Sequence, residues 1–163
     1  MLIFVDTEFT DFANPELISI ALVTEDGQHE FYAELPVSRQ RCNAFVVETV
    51  LPQLGNIDGA QCTFEELAER LHHWLLRFAD RSPVICFDFD GDWHLFCRAL
   101  KNDLPDWIQG KNVFANIDPE ALKMYFIDNG LHDHHALNDA KANRHAYNRD
   151  FARLKPPQFR KSR

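Results

Sequence analysis

The chain has 163 residues, of which 45% are hydrophobic and 26% charged, as is typical of one folded domain with its own core. This composition excludes a disordered, collagen-like or membrane-spanning protein, because its longest apolar runs fall far short of the ~20 residues that cross a bilayer. The 17 basic and 25 acidic residues give a net charge of −8, which argues against a protein that coats duplex DNA but not against a nuclease whose metal ions supply positive charge.

Local residue types favour a cytoplasmic protein that does not associate with membranes. An aspartate at position 6 would interrupt the apolar region of a signal peptide, so none is expected. The four cysteines (Cys42, Cys62, Cys86 and Cys97) form no CxxC pair. We expect reduced thiols rather than a disulfide frame or a zinc site.

The first half of the chain predicts three strands and a helix. Residues 2–5 form a continuous β-prone run, typical of a strand buried on both faces. Residues 17–25 and 28–35 flank Asp26-Gly27, a dipeptide typical of a hairpin turn. Behind a capping box formed by Thr63 and Glu66, apolar residues at helical spacing predict an amphipathic helix over 64–79. The intervening residues 36–60 are expected to be irregular, with a short helix near 44–51.

The second half predicts two strands and three helices. A strand at 84–87 precedes a helix over about 93–100, and a fifth strand is expected at 112–115. Asp118-Pro119 predicts the start of a helix that ends near Gly130. The last helix begins near residue 136, with an apolar stripe of Leu137, Ala140, Tyr147, Phe151 and Leu154. The order predicts one α/β domain with a mixed five-stranded sheet flanked by helices, extending to residue 154, before a basic tail at 155–163.

Asp6 and Glu8 come directly after the first predicted strand. Side chains on alternate positions of an extended chain point to the same face, so the two carboxylates are expected side by side. Such neighbours repel each other unless a cation lies between them. Oxygen ligands of this kind suit Mg²⁺ or Mn²⁺, so the pair is a candidate metal site.

A second acidic group, Asp88-Phe89-Asp90-Gly91-Asp92, follows the fourth predicted strand. Its first four residues are similar to the nucleophile motif of haloacid-dehalogenase-type phosphatases, a family that also needs a lysine and a further acidic pair. A calcium loop is disfavoured, because Trp93 and Ala99 occupy the positions of its glycine and glutamate. The interpretation that we favour places a carboxylate at the start of the next helix, facing the first acidic pair.

The third candidate group is His134 and Asp139, five residues apart, at the start of the last helix. His134 lies on the loop before that helix and could reach over a site that Asp139 lines. A loop histidine beside an activated water is a candidate general base, because histidines exchange protons near neutral pH. The alternative is a surface histidine among its neighbours His132 and His135.

In this order, the three groups resemble the motifs of the DEDDh exonucleases, the DnaQ-like branch of the RNase H-like superfamily. Residues 4–9 (Phe-Val-Asp-Thr-Glu-Phe) match the first motif, Asp92 the second, and residues 134–140 (His-His-Ala-Leu-Asn-Asp-Ala) the third. The resemblance covers residues 1 to about 154 and is closest to small stand-alone bacterial 3′-to-5′ exoribonucleases. It departs at the second motif, where Gly91 replaces the usual phenylalanine and Asp88 stands where the family often has asparagine. Whether Asp88 or Asp92 is the ligand there stays open.

The resemblance implies an RNase H-like fold and a 3′-to-5′ exoribonuclease that releases nucleoside 5′-monophosphates by a two-metal mechanism. Asp6, Glu8, Asp92 and Asp139 would hold two Mg²⁺ or Mn²⁺ ions about 4 Å apart. One ion would activate water, whose proton His134 would take, and the other would stabilise the leaving 3′-oxygen.

The implied partner is RNA, or another single-stranded nucleic acid, with a free 3′ end. Phe9 would stack on the terminal base, with packing in the core as its alternative. The family also often forms homodimers. Three other functions compete: an exodeoxyribonuclease of the same fold, a phosphatase that uses Asp88 as nucleophile, and a non-catalytic nucleic-acid-binding module. The last would be expected to have lost acidic residues that are all present here.

Overall fold

The structure is a computed structural model that describes residues 1–151. Leu154, the predicted domain end at that residue and the predicted basic tail at 155–163 lie outside the described residues. The strands are β1 (Leu2–Phe9), β2 (Leu17–Thr24), β3 (Glu30–Glu34), β4 (Val84–Phe87) and β5 (Gln109–Asn112), and the helices are α1 (Phe64–Leu76), α2 (Asp90–Ala99), α3 (Pro119–Asn129) and α4 (Ala136–Ala146). Their order along the chain is the predicted one.

The sheet is mixed, as predicted, with the strand order β3-β2-β1-β4-β5. The strands β1, β2 and β3 pair antiparallel, whereas β4 pairs parallel with β1 and β5 parallel with β4. The three parallel strands therefore end at the same edge of the sheet. Because β1 continues past the last residue of β4 that pairs with it, its C-terminal half lies beside the turn that leaves β4.

The two faces of the sheet pack against different helices. Ile20 and Leu22 of β2 belong to the core beneath α1 and α2, whereas Ala21 and Val23 contact Ala136 and Ala140 of α4. The alternation accounts for the complete burial of β2. Small side chains on both α4 and β2 let that helix lie close to the sheet.

Local signals predict several boundaries correctly. The hairpin turns at Asp26-Gly27, where Gly27 adopts a φ of 69°. The Thr63 hydroxyl accepts a hydrogen bond from the Glu66 amide, and the Glu66 carboxylate accepts one from the Thr63 amide, which completes the predicted capping box. Asp118 caps α3 as expected. The short helix predicted near 44–51 forms as consecutive helical turns over 44–53, with a wider π-helical turn at Val46–Val50.

The predicted position of the fifth strand is wrong, because β5 begins at Gln109 rather than at residue 112. All four of its residues are exposed and none is apolar apart from Gly110, so no apolar pattern marks it. Its backbone instead pairs with β4, and the Trp93 ring packs over Gly110, where a Cβ atom would lie 2.9 Å from the ring. The apolar Val113 lies after the strand and is buried.

The last helix is shorter than predicted. It ends at Ala146, and Tyr147 adopts an extended backbone that pairs with Ile117. The Asp118 amide donates to the Ala146 carbonyl, so hydrogen bonds to the start of α3 replace a further helical turn. Tyr147 and Phe151 are therefore not part of the α4 stripe. Elsewhere α1 ends three residues early, and α2 begins at Asp90, three residues before its predicted start, which brings Asp92 into its first turn.

No helix among residues 1–151 combines the length and the apolar character needed to cross a bilayer.

Candidate active site

Five carboxylates from four parts of the chain converge at the edge where the parallel strands end. Their oxygen atoms form two groups, each with members within 4.8 Å of one another, and Asp6 belongs to both. The first group adds Glu8 and Asp139, and the second adds Asp88 and Asp92. All five line a cavity of about 400 Å³. The structure thus brings together every acidic residue that the motifs singled out for metal binding.

The pleat of β1 separates its side chains into two sets. Asp6 and Glu8 lie on the same face of the strand as Phe4, which packs in the core near α4. Thr7 lies on the opposite face, toward α2, and is buried. The predicted side-by-side arrangement of Asp6 and Glu8 follows directly from their spacing of two residues.

Asp92 is held by Thr7. Its carboxylate accepts hydrogen bonds from the Thr7 hydroxyl at 2.6 Å and from the Thr7 amide at 3.2 Å. Only 3% of Asp92 is exposed, so these donors replace the water that the carboxylate loses. A helix that began at residue 93, as predicted from sequence, would have left Asp92 outside its first turn.

Asp88 lies on the turn after β4 and accepts a hydrogen bond from the Asn143 side chain of α4 at 3.0 Å. Oxygen atoms of both Asp88 and Asp92 lie within 4.8 Å of an Asp6 oxygen. The second acidic group thus offers two carboxylates beside Asp6, whereas the family that the motifs resemble often has asparagine at the position of Asp88. Asp90 does not line the cavity. Its carboxylate instead accepts a hydrogen bond from the Asn112 side chain at 2.7 Å.

Asp139 and His134 lie on the opposite side of the cavity from α2. The Asp139 carboxylate accepts a hydrogen bond from the His135 amide at 2.8 Å. His134 adopts a left-handed backbone with a φ of 63°, and 43% of its side chain is exposed. Its ring contacts the Phe45 ring edge to face, at 4.8 Å between centroids, and its Nε2 lies 3.5 Å from an Asp133 oxygen.

Burial and mutual repulsion raise the pKa values of the clustered carboxyl groups. Burial is the largest cause for all five, and repulsion by neighbouring carboxylates adds to it for four of them, Asp6, Glu8, Asp92 and Asp139. The pKa of Glu8 rises to about 8, and those of Asp92 and Asp139 rise to about 7. The pKa of Asp6, which faces all four others, lies well above its ordinary range.

The donor set fits hard divalent cations. Among the described residues that line the cavity there is no lysine or arginine to balance the five carboxylates. Oxygen donors without sulfur ligands suit Mg²⁺ or Mn²⁺, and two cations would relieve the repulsion that raises these pKa values. The phosphatase motif that Asp88 resembles also requires a lysine, and none is among the described residues that line this cavity.

Three aromatic rings form one wall of the cavity. Phe9 lies 5.2 Å from Phe12 and 6.2 Å from Phe89, between ring centroids, and stacks on the latter. Phe12 is 77% exposed and Phe89 46% exposed, which is unusual for side chains of this size. The Phe89 ring folds over Gly91, where a Cβ atom would overlap it. The glycine in place of the usual phenylalanine thus makes room for the ring of Phe89.

Sequence reasoning missed three polar side chains around the site. Thr7 binds Asp92, Asn143 binds Asp88, and Gln53 contacts the histidine loop. Because Thr7 lies between Asp6 and Glu8 on β1, strand alternation predicts that its side chain points to the opposite face of the sheet. That alternation is the sequence signal that could have identified it. Asn143 and Gln53 are distant in sequence from the groups that they contact, and no local pattern marks them.

Comparison with known proteins establishes the fold. No protein-family model matches the sequence, and no curated protein is significantly similar to it. Among solved structures, the chain is similar to the crystal structure of cell-death related nuclease 4 (CRN-4), with a TM-score of 0.58 and 19% sequence identity. The match covers 88% of this chain but 60% of that nuclease. The chain therefore shares its mixed α/β fold with that nuclease, which is consistent with the RNase H-like fold that the motif resemblance implies.

Proposed function

We propose that this chain is a divalent-metal-dependent 3′-to-5′ exonuclease that hydrolyses RNA and releases nucleoside 5′-monophosphates. The observation that carries the proposal is a pair of three-carboxylate clusters that share Asp6. A histidine, His134, lines the same cavity. The likeness of the fold to a nuclease supports it.

The two groups of carboxylates suit two cations. Asp6, Glu8 and Asp139 would hold one, and Asp6, Asp88 and Asp92 the other. When bound, divalent cations neutralise the phosphodiester and make water more acidic. The hydrogen bonds from Thr7 and Asn143 fix two of the carboxylates before any cation arrives, so less ordering is needed on binding.

In this proposal His134 is the general base. It lines the cavity beside Asp139, and its partly exposed ring can reach a water at the mouth. In this role His134 accepts the proton of the attacking water and later releases it to solvent. The Phe45 ring limits the positions that the imidazole can take.

The aromatic wall of Phe9, Phe12 and Phe89 would receive nucleobases. Stacking on such rings is worth roughly 1–3 kcal/mol per base and tolerates any sequence. Bases are available for stacking only when they are unpaired, so the wall favours single strands. The preference for RNA, the 3′-to-5′ direction and a homodimer rest on the motif resemblance.

A time course with 5′-labelled single-stranded RNA and the DNA of the same sequence tests the proposal. The reactions contain Mg²⁺, Mn²⁺ or EDTA, and the variants are Asp6→Asn and the exposed control Asp103→Asn, which removes the same charge far from the site. We expect RNA to shorten from its 3′ end in either metal, in the wild type and the control, and to stay intact with EDTA or Asp6→Asn.

The same experiment separates the competing functions. Faster shortening of DNA would make the protein an exodeoxyribonuclease. No shortening of either strand, with release of phosphate from phosphomonoesters that depends on Asp88, would favour the phosphatase. Intact strands and intact phosphomonoesters would refute an enzymatic function in this class.

A further inference from the structure

The side chain of Gln53 connects the histidine loop to a packed part of the fold. Its Nε2 atom donates to the carbonyl oxygens of Asp133 at 2.8 Å and His134 at 3.0 Å, and lies 3.1 Å from that of Thr49. An amide oxygen at this position would face three other acceptors, so the contacts fix which way the side-chain amide points.

Gln53 is itself held in place. It ends the helical turns over 44–53, whose Val46 and Val50 side chains are buried against Ile18. Two residues further on, the Gly55 amide donates to both carboxylate oxygens of the buried Glu34 at 3.1 and 2.9 Å. A small core and a buried carboxylate thus anchor the donor.

The loop that Gln53 contacts needs such support. His134 has a left-handed backbone, which non-glycine residues adopt only where their surroundings hold them. The Asn138 side chain binds the His132 carbonyl at 3.1 Å, and the His135 amide binds Asp139 at 2.8 Å, so each end of the loop is fixed by α4. Among the described residues, the carbonyls of Asp133 and His134 accept hydrogen bonds from Gln53 and none from α4.

We infer that Gln53 is a positioning residue: it holds the backbone of the histidine loop so that the His134 imidazole stays over the carboxylate cluster. This inference rests on the proposed function, in which His134 is the general base. A general base acts only within hydrogen-bond reach of its proton, and a displacement of about 1 Å can cost a hundredfold in rate. Gln53 contacts no carboxylate of the cluster directly, but the His134 carbonyl that it binds shares a peptide group with the His135 amide, which donates to Asp139. An effect through Asp139 would weaken Mn²⁺ binding, whereas an effect through His134 would not.

A series of Gln53 variants in the full-length protein tests the inference. Gln53→Met keeps the length of the side chain without its donors, Gln53→Glu keeps the shape but offers only acceptors, and Gln53→Lys restores a donor. Gln28→Met is the matched control, since Gln28 is exposed and, among residues 1–151, its side chain bonds only to the Asp26 carbonyl in the β2–β3 hairpin. Each variant is also made in the His134→Ala background.

We expect Gln53→Met to lower kcat roughly tenfold to a hundredfold. KM and the affinity for Mn²⁺, measured by calorimetry without substrate, should stay within about twofold of wild type. Gln53→Glu should be slower still, Gln53→Lys should recover part of the rate, and Gln28→Met should match wild type. In the His134→Ala background, Gln53→Met should change the rate by less than about twofold.

Hydrogen exchange supplies a readout that needs no activity. Amides of residues 131–135 should exchange faster in Gln53→Met than in wild type or Gln28→Met, which shows directly whether the loop has loosened.

The inference is overturned if Gln53→Met leaves kcat and loop exchange unchanged, or if it lowers the rate equally with and without His134. Loss of Mn²⁺ binding in Gln53→Met would also overturn it, because the effect would then be on the carboxylates. An inactive wild-type protein is a different result: it refutes the proposed function, and loop exchange still reports whether Gln53 holds the loop.

Discussion

Replacing Asp6 by asparagine is expected to stabilise the metal-free protein while it abolishes hydrolysis. Asp6 is half-buried beside four other carboxyl groups, and both its loss of solvent and their repulsion raise its pKa well above the ordinary range. The folded protein thus holds protons that the unfolded chain has released, and its unfolding free energy falls as the pH rises. Asparagine has nearly the same shape and carries no charge, so it removes this penalty.

The size of the effect follows from the pKa values. A carboxyl group that stays protonated only in the folded state lowers the unfolding free energy by about 1.4 kcal/mol for each pH unit. This fall in the unfolding free energy begins near pH 4, where carboxyl groups of the unfolded chain ionise. It continues up to the pKa of the group in the folded protein, which for Glu8 is about 8. For Glu8, whose pKa reaches about 8, the cost between pH 5 and pH 8 is about 4 kcal/mol, which corresponds to about 10 °C in Tm.

Thermal unfolding in EDTA at pH 5 and pH 8 measures this difference. Asp6→Asn should melt above wild type at pH 8 and by much less at pH 5, which lies only about one unit above the pKa of carboxyl groups in the unfolded chain. The control Asp103→Asn removes the same charge from an exposed site and should melt with wild type at both pH values. Saturating Mn²⁺ at pH 8 should raise the Tm of wild type but not that of Asp6→Asn.

The reasoning would be wrong if Asp6→Asn melted with the control at pH 8, or if its gain were the same at both pH values. Equal stabilisation of wild type and Asp6→Asn by Mn²⁺ would show that the cation binds elsewhere.

Three further substitutions probe separate parts of the site. His134→Ala should lower kcat about 10²- to 10⁴-fold without weakening Mn²⁺ binding, as measured by turnover and calorimetry; lost Mn²⁺ binding would contradict its role as a base. Thr7→Val removes the hydroxyl that binds Asp92 and should lower the free energy of unfolding, measured in urea, by about 1–3 kcal/mol. Thr7→Ser should lower it by less. Equal stability of Thr7→Val and wild type would refute the role of this hydrogen bond. Gly91→Ala must displace the Phe89 ring, because the added Cβ atom would overlap it. This change should weaken the binding of a single-stranded oligonucleotide, measured by fluorescence anisotropy in the Asp6→Asn background. Unchanged binding would exclude the Phe89 ring from the surface that receives nucleobases.

Much of the fold could be predicted because short-range chemistry determines it. The capping box of Thr63 and Glu66, the turn at Asp26-Gly27 and the alternation of Asp6 with Glu8 all act within a few residues. Each has one dominant physical reading, and each appears in the structure where the sequence places it.

The errors lie where long-range contacts decide. β5 has no apolar pattern and exists because its backbone pairs with β4 beneath the Trp93 ring. The end of α4 depends on the pairing of Tyr147 with Ile117, thirty residues earlier. Gln53 lies 81 residues from His134, so its contact with the loop could not be read from either segment alone.

The central claim is that the carboxylate cluster around Asp6 holds two divalent cations, and anomalous scattering from Mn²⁺ in a crystal of the protein with a nucleoside 5′-monophosphate tests it most directly. We predict two anomalous peaks, one beside oxygens of Asp6, Glu8 and Asp139 and one beside oxygens of Asp6, Asp88 and Asp92, at distances of about 2.0–2.6 Å. No peak in this cavity, at a Mn²⁺ concentration that supports hydrolysis, would contradict the account.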